Sequence, residues 1–307
     1  MFIINPDPYS MPTYRIGPFR TCDLSMNHLL PVSNLIDDYF KERFKGSDYI
    51  YTINGRSAIN LALSHYNLKK DDVVTILTTT GNFYISSCVT NEISKFCHWS
   101  RDIVPGTKVL FVNHEFGYPY NDIIKLKETN LPIIEDCASS FFSNDRDNSI
   151  GRSGDFAIYS FPKMFPIQIG GLLVSNCGKI RQVSGEVSSE LLCYVKNVLS
   201  EYIKNQGIIV AKRIENYRIL QNLFESLGFE ERFELIDGIV PGVFMFRTGN
   251  YKIDLPDLKK FFWAHGVQSS VFYGEEAFFI PVHQALNEPD LLYLYEVMNA
   301  YIQRVQQ

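Results

Sequence analysis

Residues 132–171 read PIIEDCASSFFSNDRDNSIGRSGDFAIYSFPKMFPIQIGG, and their reading decides the fold. One apolar run ends on the acidic pair Glu135-Asp136, a second ends just before Lys163, and Gly170-Gly171 lies beyond. Lys163 is flanked by Pro162, Met164, Phe165 and Pro166. An ammonium in such company is either a snorkelling surface lysine with a buried stem or a chemically used one. Desolvation favours the neutral amine, and a neutral amine attacks an aldehyde to form an imine. Asp136 also has two readings. It caps a helix beginning near Cys137, or it is a buried carboxylate that keeps a pyridine nitrogen protonated. Gly170-Gly171 is either an ordinary hairpin turn or a close, Cβ-free backbone approach beside the lysine.

Outward from this stretch, apolar runs rich in β-formers recur at residues 49–53, 73–78, 93–99, 108–112 and 172–175. Helical or turn-like segments separate them. That alternation predicts a mainly parallel sheet covered by helices on both faces, an α/β domain. Ligands of such sheets sit beyond the carboxyl ends of the strands. Asn54-Gly55, Asn113-His114, Asp136 and the segment Ser160 to Lys163 all fall at or just past those ends. Gly55, Arg56 and Ser57 precede a helical apolar pattern, so they form either a plain strand-to-helix turn capped by Ser57 or an anion site at a helix N-terminus.

Five prolines within residues 1–31 predict an extended arm, lying over the surface or mobile. Residues 32–189 form the expected α/β domain. Residues 186–204 and 208–227 read as two long amphipathic helices, after which strand and helix alternate to a last helix at 287–305. The expectation is a smaller C-terminal α+β domain over residues 190–307.

The 307 residues are 46% hydrophobic and carry 29 basic against 34 acidic side chains, a net charge of −5 with no long run of either sign. This excludes a broad nucleic-acid footprint and a polybasic membrane patch. No apolar run approaches the ~20 residues of a membrane helix, and the N-terminus lacks a signal-peptide pattern, so a cytoplasmic protein is expected. Six dispersed cysteines without a C-x-x-C pair argue for reduced thiols and against zinc; no metal is expected.

In order, Asn54-Gly55-Arg56-Ser57-Ala58-Ile59, His114-Glu115-Phe116-Gly117, Ile134-Glu135-Asp136-Cys137-Ala138, Gly151-Arg152-Ser153-Gly154-Asp155 and Ser160-Phe161-Pro162-Lys163 to Gly170-Gly171 resemble the DegT-like sugar aminotransferases. These are fold-type I enzymes of pyridoxal 5′-phosphate (PLP), with a large mainly parallel domain and a smaller one. The resemblance runs from about residue 50 to 178 and returns weakly at Pro281-Val282-His283. It implies that Lys163 forms an imine with the cofactor and later shuttles a proton, and that Asp136 pairs with the ring nitrogen. It further implies that Gly55, Arg56, Ser57 and Ser160 hold the phosphate, and that an aromatic from Phe83 or Tyr84 stacks on the ring. The implied reaction moves an amino group from an amino acid such as glutamate to a keto-sugar, commonly nucleotide-linked, for surface-polysaccharide or natural-product synthesis. Family members are homodimers.

Three departures stand out. Arg56 replaces a common threonine, Ser139 stands where glutamine or histidine usually approaches the cofactor's phenolic oxygen, and the family's asparagine-tyrosine-arginine segment is missing between Gly171 and residue 200. Asn216-Tyr217-Arg218 has those letters but falls inside a predicted helix. Two alternatives are a non-catalytic PLP-fold binding protein, suggested by Ser139 and the shortened middle, and a PLP-dependent sugar dehydratase. In the dehydratase branch the lysine is typically a histidine, so Lys163 speaks against it.

Overall fold

The computed structural model describes residues 12–145, 147–180, 187–249 and 251–306; positions 1–11 of the expected arm lie outside them. Helices α1 (Thr21–His28) and α2 (Leu35–Arg43) precede β1 (Asp48–Thr52), α3 (Gly55–Ser64), β2 (Val73–Thr78), α4 (Ser87–Ser94), β3 (His98–Ser100) and β4 (Thr107–Asn113). The chain continues through α5 (Ile123–Leu126), β5 (Ile133–Asp136), β6 (Phe156–Ser160) and β7 (Gly171–Ser175). These strands form one seven-stranded sheet in the order β1-β7-β6-β5-β4-β2-β3. Its β2, β3, β4, β5 and β6 pairings are parallel, whereas β7 runs antiparallel to both β6 and β1.

Period-two alternation feeds both faces of this sheet. Along β6, Ala157 and Tyr159 enter a core with Phe40 of α2, while Phe156 and Ile158 enter another with Ala58 of α3. The expected strand at 93–99 is a correction. Ser86 caps α4 by accepting the Cys88 N–H at 3.3 Å, and Val89 and Ile93, four residues apart, are both buried, so helical spacing takes Ile93. Only His98–Ser100 remains as a short edge strand.

Beyond residue 187 come α6 (Ser189–Ile203), α7 (Gln206–Ser226), β8 (Glu230–Glu231), β9 (Phe244–Arg247), α8 (Leu255–Ala264), β10 (Ser270–Val271), β11 (Ala277–Ile280) and α9 (Glu288–Gln306). The last four strands form a second, antiparallel sheet in the order β10-β11-β9-β8. Helix α6 sends Val195, Val198, Leu199 and Ile203 into the core shared by α2 and the large sheet. Leu220 and Phe224 of α7 join Phe244, Phe246 and α9 in a separate core.

The expected arm is not extended throughout, because Thr21–His28 is helical. Arg20 and Asp23 close that helix's start, the Arg20 N–H donating to Asp23 Oδ2 at 2.7 Å. Before it, residues 12–19 form a strap. The Tyr14 N–H donates to the Gly266 carbonyl at 2.9 Å, the Gln268 N–H returns to the Tyr14 carbonyl at 2.8 Å, and the Ile16 N–H donates to Gln268 Oε1 at 2.8 Å.

His283 fastens the strap from below. Its Nδ1 accepts the Ala285 N–H at 3.2 Å, which leaves the proton on Nε2 for the Arg15 carbonyl at 3.0 Å. Burial, reinforced by the charge of Arg213, pulls the His283 pKa down to about 3. The unfolded chain therefore takes up a proton below about pH 6.5 that the folded chain refuses until about pH 3. Stability is full above that window and falls on acidification through it, by about 1.4 kcal/mol per pH unit. Denaturant unfolding of wild type and His283→Gln should therefore diverge in pH slope by about that amount between pH 6.5 and 3. Parallel slopes would show that this imidazole is not held neutral.

Candidate active site

A cavity of about 610 Å³ lies beyond the carboxyl ends of β4, β5 and β6, walled on its other side by the second unit through Gly242, Gln268 and Ser270. Strand register sets what faces it. Asn113 and Asp136 are paired across β4 and β5, and Gly171 pairs with both Ser160 and Thr52. Asn113, Asp136 and Ser160 thus reach the cavity from adjacent strand ends.

Asp136 is 5% exposed, since β5 has neighbours on both sides. No helix starts at Cys137, which corrects the capping expectation: Asp136 Oδ1 accepts the Ala138 N–H at 3.0 Å in a turn, and Oδ2 accepts from Asn113 Nδ2 at 2.8 Å. Burial pushes its carboxyl above the usual range, while those two donors and the positive charge of Lys163 pull back toward the carboxylate.

Its neighbour Glu135 faces the other way and is scaffold. Fully buried, it accepts from the N–H groups of Gly151, Ser153 and Gly154 at 2.9, 2.8 and 2.6 Å, and from His114 Nε2 at 3.0 Å. His114 Nδ1 in turn accepts the Tyr120 N–H at 3.0 Å. Gly151 is required at its place, with φ +75° and an ideal Cβ only 2.1 Å from Tyr159 Oη. The Gly-Arg-Ser-Gly segment is thereby explained as the loop whose N–H groups solvate a buried carboxylate beneath the site.

Lys163 ends a 3₁₀ turn, Phe161–Lys163. Phe161, Met164 and Phe165 are buried, whereas Lys163 is exposed and lines the cavity. The lysine is therefore not buried among its apolar neighbours; they anchor the turn and it opens into the site. Gly171 lets the chain return close by, where a Cβ would lie 2.8 Å from the Asn54 carbonyl carbon, Thr52 Oγ1 and the Tyr159 oxygen. The glycine pair opens the strand that returns antiparallel to β6, and its close approach is to the start of α3 rather than to the lysine.

At that start, Asn54 Oδ1 accepts the Ser57 N–H at 3.0 Å. Gly55 and Arg56 line the cavity, and among the described residues their N–H groups, the Arg56 guanidinium and the Ser160 hydroxyl have no hydrogen-bond partner. Four donors beside a helix N-terminus are the groups that binding an anion requires.

Of the expected residues, Gly55, Arg56, Tyr84, Asp136, Ser139, Ser160 and Lys163 share this cavity. Ser57 does not line it, its amide being engaged by Asn54, and neither does Phe83, which is 67% exposed. Tyr84 packs its ring between Phe116 and Tyr273, at centroid distances of 6.1 and 6.3 Å. The sequence reading missed Ile16, Gly242, Gln268 and Ser270. They carry no local motif and arrive only through packing of the second unit and strap.

The sequence matches the model of a family described as "Putative PLP-dependent aminotransferase" over residues 36–233. GDP-perosamine synthase of Escherichia coli O157:H7 is 31% identical over 144 residues, 40% of this chain. The matched part spans 39% of that relative's length. Among solved structures, aminotransferase TlmJ from Streptoalloteichus hindustanus superposes with a TM-score of 0.72 at 15% identity, covering 92% of this chain and 95% of that one. A DegT DnrJ EryC1 StrS aminotransferase from Brucella abortus gives 0.68 at 15% identity, over 91% and 93%. At such identities the likeness is one of fold.

Proposed function

The chain belongs to the family of PLP-dependent aminotransferases, and from that premise we propose that it transfers an amino group from an amino acid, glutamate by preference, to a keto-sugar. One observation carries the proposal: the Lys163 amine, the Asp136 carboxylate and the free donors of Gly55, Arg56 and Ser160 meet in a single cavity.

That donor set fits PLP. Gly55, Arg56 and Ser160 would hold its phosphate, Asp136 would face the ring nitrogen, Ser139 would stand near the phenolic oxygen and Tyr84 beside the ring. When bound, the cofactor supplies an electron sink for charge developing on the carbon next to the transferred nitrogen. Lys163 Nζ would bond the cofactor's aldehyde carbon and, once freed by the incoming amino group, would carry the proton from the donor's amino-bearing carbon to that former aldehyde carbon, and the reverse with the keto-sugar. Asp136, oriented by Asn113 and the Ala138 N–H, would hold the ring nitrogen's proton in place. Apolar walls from Phe279 and Val243 would exclude water.

The similarity to GDP-perosamine synthase supports a nucleotide-linked sugar as acceptor, and we place the reaction in a surface-polysaccharide or natural-product pathway. A homodimer is supported by exposed apolar side chains in one stretch, Leu29 at 85% and Val32 at 78% exposure, with Met26 and Leu35 beside them. Among the described residues no helix is long and apolar enough to cross a membrane, and the proposal places the reaction in the cytoplasm. The packing of α6 favours dividing the two units near residues 204–205 rather than at 190.

Absorbance of the purified protein mixed with PLP tests the proposal. A visible band that borohydride removes, and that L-glutamate converts to the pyridoxamine form, is the expected result. Absence of the band would refute PLP chemistry; a band indifferent to every amino donor would leave a PLP-binding protein.

A further inference from the structure

Arg213 lies on α7 and is fully buried. Burial alone pulls its guanidinium down to about 9, still protonated at neutral pH. Among the described residues no carboxylate forms a salt bridge with it. A cation without a counter-ion in such a place is held by hydrogen bonds, here one from each of its three nitrogens. Its Nε–H donates to Gln284 Oε1 at 2.8 Å, Nη1–H to the Pro241 carbonyl at 3.1 Å, and Nη2–H to the Lys163 carbonyl at 3.0 Å. Gln284 closes the ring by donating Nε2–H to the Met164 carbonyl at 2.8 Å.

These acceptors belong to three separate segments, two of which border the cavity. One is the turn carrying Lys163. A second is Pro241, next to the wall residue Gly242, whose own N–H donates to the Phe116 carbonyl at 2.7 Å. The third is the connection between β11 and α9. Only a planar fork with donors on three sides can satisfy acceptors so placed; the lysine ammonium, a point donor on a flexible stem, reaches fewer of them.

We infer that Arg213 is a positioning residue for Lys163, fixing the lysine's backbone to the second unit so that Nζ is presented to a carbonyl carbon in reactive geometry. This rests on the proposal that Lys163 bonds PLP. Buried fixed charge is costly and is replaceable by apolar packing where only stability is at stake. Here the guanidinium joins two units at the reactive turn, and that place gives it a use beyond packing.

The test compares full-length wild type, Arg213→Met, Arg213→Lys and Gln284→Leu. Leu220→Ala on the same helix is a control that weakens the second core away from the turn. Two quantities are read at a temperature where each protein is folded: the rate and pH profile of lysine–PLP bond formation, and hydrogen exchange of residues 161–171 without PLP. Arg213→Met is expected to slow bond formation by about 100-fold, the cost of a reacting group displaced by about 1 Å. Its pH profile should shift and exchange at 161–171 should accelerate, while Arg213→Lys recovers part of both and Leu220→Ala changes neither. If Arg213→Met does not fold, Gln284→Leu must show the same two effects in smaller degree. Wild-type rate and exchange in a folded Arg213 variant, or equal slowing by Leu220→Ala, would overturn the inference. If wild type itself forms no bond, the PLP reading fails, and the exchange data alone then decide whether Arg213 fixes the turn.

Discussion

Lys163→Ala should abolish transamination, lowering the rate by about 10⁴-fold or more, because one side chain supplies both the nucleophile and the proton carrier. Fold stability should change little, by about 0.5 kcal/mol or less, since Lys163 is exposed in the cavity and its buried neighbours Phe161, Met164 and Phe165 hold the turn. Lys163→Arg separates charge from nucleophilicity: it keeps a cation near Asp136 and should be as inactive as alanine. The decisive readout is borohydride treatment followed by mass spectrometry, with PLP retained on wild type at the peptide containing residue 163 and on neither variant. Label found on another lysine would reassign the nucleophile.

Asp136→Asn should act differently, lowering the rate by about 10²- to 10³-fold while leaving the lysine–PLP bond able to form. Removing one partner of a buried charge pair costs about 3–5 kcal/mol, and about 1.4 kcal/mol is a factor of ten. Asparagine can still accept the Ala138 N–H, but its amide cannot stabilise a protonated ring nitrogen, and the Asn113 donor loses a carboxylate partner. The free protein should tolerate the change, because Asp136 is itself pushed toward neutrality by burial. Measuring kcat alongside the absorbance titration distinguishes the cases: a full-strength band with slow turnover is expected. A loss of the band equal to that of Lys163→Ala would instead make Asp136 a determinant of cofactor binding.

The large sheet was legible because its evidence is local. Runs such as 73–78 and 108–112 are apolar on both faces, and the polar residues that end them fall on one edge by the rules of parallel sheets. Glu135 and Asp136 were legible as a pair but not as a division of labour, since which way each points depends on the pleat. Residues 93–99 misled because Ile93 satisfies a strand run and an i, i+4 helix stripe equally well, and the Ser86 cap decided it. Arg213 left a trace that was not used. The buried face of α7 runs Ile209, Arg213, Asn216, Tyr217, Leu220, Phe224, and two strongly polar residues on an otherwise apolar stripe ask for buried partners. Apart from Gln284 Oε1, those partners are backbone carbonyls, of Lys163 and Pro241 for Arg213 and of His283 and Leu286 for Asn216, which have no side-chain signature.

The strap formed by residues 12–19 also bears on how the chain is made. It is synthesised well before its partners: Ile16 and Arg15 bond Gln268 and His283, separations of 252 and 268 residues. Neither partner exists until the second sheet has been translated and formed. A contact of such sequence separation bears nearly the whole chain's loop-closure entropy. The strap therefore cannot dock before the second sheet has formed, and until it does, Ile16 is missing from the cavity wall. Completion of the cavity wall thus waits on the second sheet, so a chain made only through the large sheet lacks part of that wall.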